Sequence, residues 1–133
     1  MQVVIFKLQD EEFAVETAKI QSITDTMEIT RVPKAPNYIK GLINLRGNII
    51  PLLNLKMLLD IEINDIEQEN IIIVSINEES IGIIVDMVEE VLEIEENIIE
   101  NLNEKDKKEY IKGIINFKDR IVTLIDIDKL VLN

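Results

Sequence analysis

The 133-residue chain predicts an all-β fold, a sandwich or barrel, rather than a helical bundle. Three observations carry this expectation. The apolar runs are short, rich in β-branched residues and bounded by Gly, Asn, Asp or Pro. Isoleucine alone occurs 27 times, beside 13 leucines and 10 valines. A block also recurs within the chain: Tyr38-Ile39-Lys40-Gly41-Leu42-Ile43-Asn44-Leu45-Arg46 returns 72 residues later as Tyr110-Ile111-Lys112-Gly113-Ile114-Ile115-Asn116-Phe117-Lys118.

Taken in order, Gln2 to Leu8 reads as a first strand and Phe13-Ala14-Val15 as a second, with polar Gln9 to Glu12 as the hairpin turn. Glu16 to Ile23 is expected to form a short helix. Strands are expected at Leu42 to Leu45 and Ile49 to Leu55, where Pro51 points to an edge strand or bulge because it cannot donate to a ladder. Lys56 to Leu59 reads as a second short helix. Strands follow at Ile71 to Ile76, Ile81 to Val85, Ile114 to Phe117 and Ile121 to Ile127. The Lys- and Glu-rich stretch Glu104 to Tyr110 predicts a third helix. Gly41 and Gly113 hold equal places just before apolar strands, where a crowded or positive-φ backbone excludes a side chain. Gly47 reads as turn chemistry between two strands. All three are structural glycines on this reading.

The repeat continues through Ile49 to Leu59 against Ile121 to Val131, with nine identities over the 22 positions from Tyr38. A weaker echo sets Leu8 to Ile23 against Ile76 to Val91, with Asp86 at the place of Ala18. One domain over 1–133 is expected, made of two similar halves of about 1–64 and 65–133, each too small to bury much alone.

Composition removes whole classes of chemistry. There is no Cys and no His, so thiol and imidazole catalysis, disulfides, ordinary zinc or haem sites and a phosphohistidine are excluded. A pI near 4.4 without Trp argues against nucleic acid. No apolar run reaches the length of a membrane span, so no direct membrane insertion is expected, and the chain reads as cytosolic. No glycine-rich phosphate loop occurs. Asp126-x-Asp128 lacks the further ligands of a calcium loop and reads as strand-end solvation. Two carboxylates near each other can hydrolyse glycosides, but spacing selects no pair from 26 acidic residues. No catalytic residue, cofactor or metal is expected.

The net charge of −12 is unevenly placed. Met57 to Glu104 carries fifteen acidic residues and no basic one, while both flanks are near neutral. Such a segment is either a solvated face or a patch that steers a basic partner toward the second half, giving a salt-sensitive contact there.

Phe6-Lys7-Leu8 with Asp10 to Val15, Ile29-Thr30-Arg31-Val32-Pro33, Ala35-Pro36 and Ile39 to Pro51 together resemble the CheW chemotaxis coupling family. Gly82 to Leu92 and Leu124 to Leu130 are similar to the same family, so the resemblance spans nearly the whole chain. It implies two similar five-stranded barrel subdomains packed together. It implies a non-enzymatic chemotaxis adaptor that couples chemoreceptor cytoplasmic tips to the regulatory domain of the CheA histidine kinase, in arrays at the membrane. It also implies that a receptor tip lies in an apolar groove between the barrels, with Ile20, Lys40, Gly41, Arg46, Gly82, Val88 and Val91 at the matching positions. Family members usually carry a Glu, paired with the Arg that matches Arg46, where this chain has Ser22. The alternatives are the related coupling domain of CheV or of the kinase, although no receiver or kinase segment is seen, a docking module of a non-chemotactic two-component system, and a carboxylate-based hydrolase.

Overall fold

The computed structural model describes residues 1–61, 69–103 and 108–132. Among these residues eleven strands and two short α-helices follow in order: β1 (Gln2–Leu8), β2 (Glu11–Glu16), β3 (Ile20–Asp25), β4 (Ile39–Leu45), β5 (Asn48–Asn54), α1 (Leu55–Leu58), β6 (Asn70–Ile76), β7 (Glu79–Val85), β8 (Met87–Glu93), β9 (Ile99–Glu100), β10 (Ile111–Asn116), β11 (Ile121–Ile125) and α2 (Ile127–Leu132). They form two sheets, ordered β8-β1-β2-β11-β10-β9 and β3-β6-β7-β5-β4. The all-β fold is as expected. Each subdomain has its five strands, with two-residue β9 added at one edge, but neither strand order closes on itself, so the barrels are open among the described residues.

The chain divides into two compact units, one of Met1–Ala18 with Val88–Asn133 and one of Lys19–Met87. These units and the sequence repeat partition the chain differently. The β1-β2 hairpin of the first half lies between β8 and β11, with β10 beyond β11, and the β6-β7 hairpin of the second half lies between β3 and β5, with β4 beyond β5. Each unit therefore takes its hairpin from one half and its other strands from the other half. The registers agree: Leu124 lies opposite Ala14 in one unit, and Leu52 opposite Gly82 in the other, at equivalent repeat positions.

Alternation of side chains across each sheet fills the two cores from the same positions. Val3, Ile5, Ile115, Val122 and Leu124 pack in the first unit. Ile71, Ile73, Ile43, Ile50 and Leu52 do so in the second. Ala14 holds the place that Gly82 holds in the second unit, where an added Cβ would come within 3.0 Å of Leu52 Cδ1. Both halves bulge at the conserved glycines, between Ile39 and Gly41 and between Ile111 and Gly113. A Cβ on Gly41 would overlap the Thr30 carbonyl oxygen and approach Ile29 Cγ2 to 2.7 Å, at a φ of +154°. On Gly113 it would lie 2.8 Å from the Glu100 carbonyl oxygen.

Several local expectations are corrected. The helix expected at Glu16 to Ile23 is a single 3-10 turn, Thr17–Lys19, before β3; the alternating burial of β3 suits an edge strand of β-branched residues. Pro51 lies in β5, an interior strand. The Leu42 amide and carbonyl are taken by Thr30, so Leu42 and Pro51 face each other as a non-hydrogen-bonded pair. The absent N–H of Pro51 points toward β7, where pairing begins only at Leu52. The strand from Ile121 stops at Ile125 because Asp126 caps α2, its Oδ1 accepting from the Lys129 amide at 3.3 Å. Asp126 is thus a helix cap rather than strand-end solvation. In the helix expected at Glu104 to Tyr110, residues 104–107 lie outside the described residues and Glu109 and Tyr110 form a turn. The helix expected at Lys56 to Leu59 is present as α1, capped by Asn54.

Candidate functional site

Five of the seven positions that the resemblance matches to receptor contacts lie in the second unit and two in the first. In the second unit Ile20 sits on edge strand β3, while Lys40 and Gly41 sit on β4 at the opposite edge. Gly82 is buried in the middle of that sheet, so its part is packing. Arg46 and Gly47 form the β4-β5 turn with φ of +55° and +87°, the two positive values that a two-residue hairpin turn of right-handed strand twist requires. Asn44 Oδ1 accepts from the Gly47 amide at 3.0 Å. This turn holds the Arg46 side chain outward, and the guanidinium has no ion pair or hydrogen bond among the described residues. Lys40 is only loosely paired, 4.0 Å from Glu69. Val88 and Val91 lie on edge strand β8 of the first unit, Val91 exposed. The structure thus sets Lys40, Gly41 and Arg46 on one hairpin, and sets Ile20 apart from them across the sheet.

Two polar clusters escaped the sequence reading. The first unit gathers Arg120, Glu12, Glu89 and Glu90: Arg120 Nη1 lies 3.5 Å from both Glu12 and Glu89, and Nη2 pairs with Glu90. The guanidinium also stacks over Phe117 at 5.2 Å. Burial pushes the Glu89 carboxyl above its ordinary 4.5, and the neighbouring Glu12 pushes it the same way through a hydrogen bond and charge; Lys7 and Arg120 oppose them in part. At the equivalent place in the second unit stand Asn48, Ser80, Gln21 and Ser22. There Ser80 Oγ donates to Gln21 Oε1 at 2.7 Å, a neutral pair where the first unit has Glu12 and Glu89. The second unit holds a different charged pair, Lys56 Nζ 2.6 Å from Asp86 Oδ1, both side chains about 6% exposed. Its counterparts in the first unit are Asp128 and Ala18. Only the contrast of Asp86 with Ala18 pointed toward this in the sequence, because the partner comes from a segment thirty residues away.

The acidic stretch from Met57 to Glu104 is divided between the units at Met87. Its placement therefore assigns it to no single subdomain: the first unit carries 8 basic and 16 acidic residues, the second 6 and 10. No group of three or more His, Cys, Asp or Glu side chains suited to a metal occurs among the described residues. No described helix is long and apolar enough to cross a membrane.

Comparison with known proteins gives one consistent likeness. The profile of the CheW-like domain matches residues 2–132. A chemotaxis protein CheW of Thermotoga maritima is 33% identical over 131 residues, covering 98% of this chain and 87% of that protein. The CheW of Bacillus subtilis is 32% identical over 127 residues, covering 92% and 81%. A crystal structure of the scaffolding protein TtCheW from Thermoanaerobacter tengcongensis superimposes with a TM-score of 0.88 at 32% identity, covering 97% of this chain and 86% of that one.

Proposed function

The chain belongs to the CheW-like family, a chemotaxis scaffold and not an enzyme, and on that premise we propose that it couples chemoreceptor cytoplasmic tips to the regulatory domain of the CheA histidine kinase. The observation that carries this reading is the doubled construction: one chain builds the same sheet twice, each unit with its own outward face. An adaptor needs two surfaces, and it needs none of the catalytic groups that this chain lacks. Work at the membrane then follows from recruitment to receptor arrays, with the adaptor itself in the cytoplasm.

The receptor surface, on this reading, comprises Ile20, Lys40, Arg46, Val88 and Val91, with the buried Gly41 and Gly82 packing behind it. Arg46 and Lys40 supply cationic donors for carboxylates or backbone oxygens, Ile20, Val88 and Val91 supply apolar contact, and the two glycines keep the backbone in place. The exposed Arg46 in its Asn44-Leu45-Arg46-Gly47 context motivates this role, and Ser22, at the position where the resemblance implies a Glu paired with that Arg, counts against it. Co-sedimentation with receptor signalling tips and the kinase tests the reading at low and moderate salt. Wild-type protein is expected to sediment with both partners, and Arg46→Ala to lose receptor while keeping kinase. Binding to neither partner would sink the adaptor reading.

A further inference from the structure

Strand alternation carries the core face of the first unit on to a charged end. Val3 and Ile5 on β1 lead to Lys7, Ala14 on β2 leads to Glu12, and Leu124 and Val122 on β11 lead back to Arg120. Lys7 and Glu12 are direct cross-strand partners. Lys7 also lies 3.9 Å from Glu89 on β8, and Arg120 Nη1 lies 3.5 Å from both Glu12 and Glu89. Four charges of alternating sign thus close a ring that the backbone order β8-β1-β2-β11 leaves open. The same rows in the second unit end in Ser75, Ser80 and Asn48, with Ser75 opposite Ser80. Because neutral groups complete the shared strand plan there, the plan alone does not call for the charges in the first unit.

What the ring adds is a grip on a sheet edge. Among the described residues β8 has one neighbour in its sheet, β1. The Arg120 fork supplies a second hold, with Nη1 at Glu89 and Nη2 paired with Glu90. Successive side chains of a strand leave opposite faces, so a fork that holds two of them in a row resists both roll of the strand and slip along β1. Glu12 and the face of Phe117, 5.2 Å away, keep the guanidinium in place. Immediately on either side of the gripped pair stand Val88 and Val91, the two positions of the receptor reading that lie in this unit.

We propose that Arg120 is a positioning residue for receptor binding, which holds β8 so that Val88 and Val91 meet the receptor tip together. The proposal rests on the receptor surface described above and adds a residue that lies outside it. Lysine cannot replace the arginine in this role, since a single ammonium has no planar fork with which to hold two carboxylates at once.

The test titrates a receptor signalling tip with the full chain carrying Arg120→Gln, Arg120→Lys, Glu90→Gln, Val91→Ala, or Arg120→Gln together with Val91→Ala, and takes a urea midpoint for each. Arg120→Gln is expected to weaken binding about tenfold, Arg120→Lys nearly as much, and Glu90→Gln, which keeps the cation, about threefold. The double variant is expected to lose less than the product of its two single losses, because the arginine acts through the strand that carries Val91. Ile115→Val, a core change in the same unit, is expected to lower the urea midpoint at unchanged affinity. Wild-type affinity in Arg120→Gln and Glu90→Gln, fully multiplicative losses in the double variant, or a matching loss in Ile115→Val would overturn the proposal and leave the adaptor reading standing. Wild-type affinity in Val91→Ala would take β8 out of the receptor surface and the proposal with it. A wild-type chain that binds neither tip nor kinase would remove the adaptor reading itself.

Discussion

The two units share a strand plan and differ in where they keep charge. The second buries one ion pair among the described residues, Lys56 with Asp86, and keeps a neutral Ser80 to Gln21 bond between β7 and β3. The first places Ala18 and Asp128 at the positions of that pair and loads the place equivalent to Ser80 and Gln21 with one arginine and three glutamates. A repeat conserves what the core requires, the aliphatic positions and the bulge glycines. The polar sites differ between the copies, and the first unit's cluster leaves Glu89 Oε1 and Arg120 Nε buried without a hydrogen bond among the described residues. The comparison separates residues that make the fold from residues that make the two copies different.

The sharpest way to break it is Asp86→Ala. This leaves Lys56 buried without its counter-ion and is expected to cost about 3–5 kcal/mol, read as a lowered urea midpoint. Converting both partners, Lys56→Met with Asp86→Leu, should recover most of that loss, since an apolar pair of similar volume replaces both charges. A second comparison is between the bulge glycines. Gly41→Ala is expected to cost about 2–3 kcal/mol and Gly113→Ala less. Both meet a backbone oxygen, but only Gly41 also holds a φ that a side chain disfavours. Equal losses in thermal unfolding would show that crowding alone sets the penalty.

The smallest effect is in pH. Because folding raises the Glu89 value above 4.5, the native state holds that proton more tightly than the unfolded chain. The associated stability is fully present below 4.5 and is lost as pH rises through the raised folded value. Glu89→Gln should flatten this slope in denaturation curves taken across the acid range. The reciprocal change Gln21→Glu, which places a carboxylate at the equivalent site of the second unit, should leave the second unit's Ser80 able to donate to it and introduce less slope. An unchanged slope in Glu89→Gln would mean that Glu89 does not carry it.

Much of this was legible in the sequence. The β-branched runs place most strands to within a few residues, and the Tyr-Ile-Lys-Gly block alone reveals the doubling. Edge strands β3 and β8 were less visible, since one solvated side dilutes an apolar run with Gln, Ser and Glu. Helix α2 went unread because the apolar run from Ile121 was carried on to Ile127 as strand, whereas the Asp126 cap ends it and starts the helix. The clusters around Arg120 and Lys56 could not be read, for their members meet only when hairpin and partner strands from opposite halves pair. The candidate contacts drew on motif matching.

The exchange of hairpins between halves also orders events during synthesis. Every strand of the second unit lies between Ile20 and Val85, so its sheet can be complete while much of the chain is still unmade. The hairpin β1-β2 emerges first, yet its parallel neighbour is β11, with Glu12 waiting for Val122. Non-local pairing of that span is intrinsically slow. The first residues made are therefore among the last to be sheltered, and a buried strand such as β1 spends translation as exposed apolar surface, the state in which chains of this kind are most open to aggregation.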